Sequence, residues 1–70
     1  MGDILANNSY IVGELAGIST MGDVPLIEIE LVTRKKILVS NELLDEIESF
    51  IGEKIAILRE DNNWFAGARK

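Results

Sequence analysis

One segment limits what this chain can fold into: a stretch of helical periodicity with three β-like segments before it and two after. Ser40-Asn41-Glu42-Leu43-Leu44-Asp45-Glu46-Ile47-Glu48-Ser49-Phe50-Ile51-Gly52 carries its apolar residues at 43, 44, 47, 50 and 51. At about 100° per residue these fall within an arc of roughly 120°, the width of a core-facing stripe. Glu42, Asp45, Glu46, Glu48 and Ser49 fill the rest of the wheel. Ser40 is placed to cap the first turn, Glu42 sits near the positive end of the helix dipole, and Gly52 can take the left-handed stop conformation. The spacing predicts one helix of about three turns over 40–52. With strands on both sides of it in only 70 residues, the stripe must be buried by a sheet wrapped around it, which predicts a small barrel.

Alternation and turn chemistry place the strands. Residues 1–8 have no sustained period, and Asn7-Asn8-Ser9 reads as a turn. The first strand is expected from Tyr10 to Ile18, with Tyr10, Val12, Ala16 and Ile18 on one side and Ile11, Gly13, Leu15 and Gly17 on the other. Its two glycines suit a long strand that coils or carries bulges. Residues 19–23 form a turn around Gly22, and Pro25 opens a second strand running to Val32. There Ile27, Ile29 and Leu31 point inward, with Glu28 and Glu30 outward. Thr33-Arg34-Lys35 connects to a third strand, 36–39. After Gly52, residues 54–59 make a fourth strand and 64–68 a fifth. Glu60-Asp61-Asn62-Asn63 between them is a hairpin turn without glycine, which asks asparagine to take the left-handed region.

This order, β-β-β-α-β-β, is that of the OB-fold, a five-stranded Greek-key barrel, and residues 1–70 read as a single OB-like domain. An SH3-like barrel is the alternative; it usually has a short 3₁₀ turn where this chain has a helix. A chain of this length buries only about 60% of the surface its unfolded form exposes, so stability must come from an idealised core, a partner or self-association. With no cysteine and no histidine, disulfides are excluded and a structural zinc is not expected. No apolar run approaches the roughly 20 residues of a membrane span. Met1-Gly2-Asp3-Ile4-Leu5-Ala6 lacks a basic n-region, and Ala6 stands where N-myristoylation wants serine or threonine. The chain reads as cytoplasmic.

Catalysis finds little to work with. Without His or Cys there is no nucleophile–base pair of the usual kinds. Glu28 and Glu30 share a strand face, but their period-two spacing is that of solvated strand residues. Asp61-Asn62-Asn63 lacks the glycine and closing glutamate of a calcium loop, and the acidic residues of the helix are those that keep its outer face wet. Neither an enzyme, a cofactor nor a metal site is expected.

A binding or interaction module remains, with a protein partner or a second copy as its target. Tyr10, Val12, Ile18 and Leu26 add apolar surface beyond one strand face, and with Trp64 they are the candidate interface residues. The competing reading is that the first strand coils and buries both faces. Weak single-stranded nucleic-acid binding is the alternative, through Arg34, Lys35, Lys36 and Arg59, extended by Arg69 and Lys70, with Trp64 or Phe65 as a stacking platform. A net charge of −5 and outward Glu28 and Glu30 disfavour it. A third reading rests on a family resemblance. Ala6-Asn7-Asn8-Ser9-Tyr10-Ile11-Val12-Gly13 resembles the opening of the small molybdate-binding, Mop-like OB modules, which implies an oxyanion ligand. Those modules carry an Arg-Asn pair where this chain has Asn7-Asn8.

Overall fold

The computed structural model describes residues 3–68. It is mainly β with one short helical segment, and the strands are β1 (Asp3–Ile4), β2 (Ser9–Thr20), β3 (Leu26–Leu31), β4 (Lys36–Ser40), β5 (Lys54–Glu60) and β6 (Asn63–Ala68). They form one sheet in the order β1-β4-β3-β2-β5-β6. Every neighbouring pair is antiparallel except β1 and β4, which run parallel. The five expected strands are β2 to β6. The closed five-stranded barrel is not: the sheet has six strands and stays open, with β1 and β6 at its two ends. Asp3–Ile4, in a stretch with no β-like period, supplies the extra strand.

β2 carries the curvature. Its first half, Ser9–Glu14, pairs with β5, and its second half, Leu15–Thr20, pairs with β3. Leu15 sits at the changeover, where the strand is bonded on both edges. Its N–H donates to the Glu53 carbonyl (2.9 Å) and its carbonyl accepts from Gly52 N–H (2.8 Å), while Val32 N–H donates to the Glu14 carbonyl (2.9 Å). The strand bends sharply enough there for Leu31 to lie over Gly13; a Cβ on Gly13 would come within 2.9 Å of Leu31 Cδ1. A side chain at 13 would have to displace Leu31, whereas a Cβ at Gly17 would meet nothing within 4 Å.

A bulge overturns one side-chain assignment. Leu15 pairs with Leu31 but Gly17 pairs with Glu30, leaving Ala16 as an extra residue. One extra residue reverses the alternation beyond it. Ile18 therefore joins Ile11 and Leu15 on the inner side, opposite Ile29, and packs against the core. Strict alternation had put it beside Tyr10.

The inner face is built from Leu15, Ile27, Ile29, Val39, Ile55 and Ile57, closed by Leu43 and Ile47 from the helical segment. That segment is less regular than its periodicity suggests: a 3₁₀ turn (Asn41–Leu43), one turn of α-helix α1 (Leu44–Ile47) and a second 3₁₀ turn (Glu48–Phe50). It must leave β4 at Ser40 and enter β5 at Lys54, and both terminal turns tighten to do so. Ser40 Oγ accepts from Glu42 N–H at 3.3 Å, and Gly52 adopts φ +91°, as the capping residues imply. Leu43, Leu44, Ile47 and Phe50 face or border the core. Ile51 does not. It ends the segment in an extended conformation and is 52% exposed.

Candidate interaction surface

The β5–β6 hairpin divides its side chains between two very different surroundings. Asp61 and Asn62, at φ 51° and 62°, form a two-residue turn with both central residues left-handed, the type I′ geometry that matches strand twist. Glu60 then faces Asn63, Arg59 faces Trp64, Leu58 faces Phe65 and Ile57 faces Ala66. Ile55 and Ile57 are inner residues, so Arg59 and Trp64 are inner as well, and Leu58 and Phe65 point outward.

On the inner side Arg59 holds the fold through both terminal nitrogens, while its Nε is buried without a hydrogen-bond partner. Its Nη1 donates to the Leu5 carbonyl (2.8 Å) and its Nη2 to Asn62 Oδ1 (3.2 Å). Its guanidinium carbon lies 4.8 Å from the centroid of the Trp64 ring, within cation–π range. The loop before β2 completes this latch. Asn7 Oδ1 accepts from Asn62 N–H (2.8 Å) and from Asn8 N–H (3.1 Å), and Asn8 Oδ1 accepts from Asp61 N–H (3.1 Å). Leu5 N–H donates to the Leu38 carbonyl on β4 (2.9 Å). Residues 3–8 thus run from the end of the sheet where β1 lies on β4 to the β5–β6 hairpin at the other, spanning the opening between them.

The outer side of the same three strands is apolar. Tyr10, Leu58 and Phe65 lie in register across β2, β5 and β6, and Val12, Ala56 and Gly67 form the next outward row. Tyr10 is 71% exposed and Phe65 53%; Leu58, Val12, Ala56 and Gly67 are half-buried. Large exposed apolar side chains are unremarkable singly but informative when contiguous. Glu60 borders this patch at one end, with Glu14 facing Lys54 at the other.

The candidate interface residues are therefore split. Tyr10 and Val12 belong to the outer patch. Ile18 and Trp64 pack inward against the core, Ile18 because of the bulge and Trp64 because of the hairpin register. Leu26 lies on β3 opposite Ser40, away from Tyr10. Leu58 and Phe65 complete the patch. Phe65 is a sequence candidate only as a stacking platform and Leu58 is not one; fixing the register from the two-residue turn and an inward Ile55 and Ile57 places both on this face.

The basic residues are not brought together either. Arg34, Lys35 and Lys36 are exposed at the β3–β4 hairpin, where Arg34 takes φ 69° and its N–H donates to the Leu31 carbonyl at 2.8 Å. Leu31 pairs with Leu15 and Arg59 with Ser9, which puts about 20 Å of β2 between the two basic groups. Arg69 and Lys70 lie outside the described residues, as do Met1 and Gly2. Among the described residues no three acidic side chains gather as a metal site would need, and no helix is long and apolar enough to cross a membrane. No protein-family model, no curated protein and no solved structure matches the chain.

Proposed function

We propose that this chain is a non-catalytic interaction module that docks onto another protein surface through the outer patch of β2, β5 and β6. The observation that carries the reading is the Tyr10–Leu58–Phe65 row, three large apolar side chains in register on a face that alternation in an antiparallel sheet leaves to solvent. The architecture behind it is read as an OB-like sheet left open, with the helical segment set between β4 and β5 and the latch across the gap. A cytoplasmic location is part of this reading. The same aromatic pair would serve weak single-strand binding, but the withdrawal of Arg59 into the latch takes a cation away from it.

Replacing Phe65 with a photo-crosslinking phenylalanine analogue tests the reading in the cells that make the protein. A discrete crosslinked product is expected from position 65 and none from Glu42, on the helical segment. No discrete product from position 65 would overturn it, and a product containing nucleic acid would replace it with the alternative.

A further inference from the structure

We infer that the surface docking on this patch is a second copy of the same chain, packed face to face about a two-fold axis. The inference rests on the interaction reading above and goes further by naming the partner. The axis would lie in the plane of the patch, across the strands, between the row Tyr10–Leu58–Phe65 and the row Val12–Ala56–Gly67. Such an axis keeps each strand over its counterpart and exchanges the two rows. Tyr10 of one copy then stands over Val12 of the other, Leu58 over Ala56, and Phe65 over Gly67. Every large side chain meets a small one, which is the alternation that lets two layers interdigitate at native density.

Two of the three charges at the ends of the patch obey the same symmetry; the third, Glu14, faces Lys54 within its own copy. Going along β5, Lys54 lies one row beyond Ala56, and Glu60 one row beyond Leu58. The two-fold puts Lys54 of each copy over Glu60 of the other, two opposite-charge contacts created by one operation. An axis along the strands would instead set Lys54 against Lys54 and Glu60 against Glu60, so the charges choose the antiparallel arrangement. With strands about 4.8 Å apart and about 6.8 Å between same-face residues, the two rows cover roughly 14 by 14 Å. That is well below a standard stable interface. The dimer is therefore weak and concentration-dependent, not obligate.

Sedimentation equilibrium of the full chain from micromolar to millimolar concentration tests this. The native mass is expected to rise from one copy toward two. Gly67→Leu puts a large side chain where Phe65 of the other copy must sit; a Cβ there meets nothing within 4 Å inside the monomer, so the position has room for a side chain to start outward. It is expected to weaken self-association at least about tenfold, or 1.4 kcal/mol. Lys54→Glu and Glu60→Lys should each weaken it alone, and an equimolar mixture of the two should associate again because both contacts regain opposite charges. Circular dichroism confirms that each variant is folded. A native chain that stays monomeric to millimolar concentration would overturn the inference, as would Gly67→Leu associating as well as the native chain. Either result would leave the crosslink at position 65 standing if its product contains a different protein, and so separates this inference from the reading beneath it.

Discussion

Two cross-strand pairs lie side by side on the β5–β6 hairpin and meet opposite ends. Arg59 and Trp64 turn inward and hold the latch, while Leu58 and Phe65, one position along, turn outward and stay partly in water. Ranked by hydrophobicity the two pairs should be exchanged. What decides is register. Slipping the hairpin by one residue would bury Leu58 and Phe65, but it would push Ile55 and Ile57 out with Trp64 and leave Ala56 and Gly67 to fill the core. At about 0.8 kcal/mol per buried methylene, isoleucines exchanged for alanine and glycine are a net loss. The apolar outer row is thus imposed by the inner one, and an exposed row that the fold itself cannot bury is left for a partner.

The comparison breaks most easily at Arg59. Arg59→Ala removes the bonds to Leu5 and Asn62 and uncovers the Trp64 ring, and is expected to cost about 2–3 kcal/mol. For a domain of this size that lowers Tm by roughly 10–20 °C, whereas Leu58→Ala should lower it far less. Coincident melts for Arg59→Ala and the native chain would show that the latch does not hold the fold. Gly13→Val comes next, at about 2 kcal/mol by urea denaturation, because its side chain drives into Leu31. Gly17→Ala, with open space around it, is expected to stay within about 0.5 kcal/mol; equal costs at 13 and 17 would remove the account of the bend.

The loop side of the latch is weaker. Asn7→Ala with Asn8→Gly, glycine because position 8 sits at φ 60°, deletes the acceptors for Asp61 and Asn62 N–H and should cost about 1–2 kcal/mol. Hydrogen exchange at those two amides should speed up more than at Ile57, and uniform exchange across β5 would contradict a local latch. Arg34→Gly has the opposite sign. Arginine at φ 69° is strained, so glycine should stabilise the chain by about 1 kcal/mol; a loss of stability would mean that the arginine side chain holds the turn.

Much of this fold can be read without coordinates, and the failures share a cause. Ile27, Ile29 and Leu31 alternate cleanly and are buried as alternation requires. Ser40 and Gly52 cap as their chemistry dictates, and the glycine-free hairpin uses the left-handed region. Alternation alone misplaces Ile18 because Ala16 looks like any strand residue; only its lack of a partner on β3 shows the bulge. Aromatic character says nothing about register, so it does not send Trp64 inward. The two residues of β1 carry no period, and the strand forms by pairing with β4, far away in sequence. Asn7 and Asn8 read as a turn, and only the hairpin tip beside them shows that their side chains supply its acceptors.

The most direct test of the central claim is the urea unfolding of the double variant Tyr10→Thr/Phe65→Thr at low micromolar concentration, repeated at two dilutions so that the result is free of self-association. Threonine keeps the β-propensity and removes the rings. If the outer row is a docking surface and no part of the core, the free energy of unfolding stays within about 1 kcal/mol of the native chain. A loss well above 2 kcal/mol would show the rings holding up the monomer itself, and would contradict the division between the two faces of the hairpin.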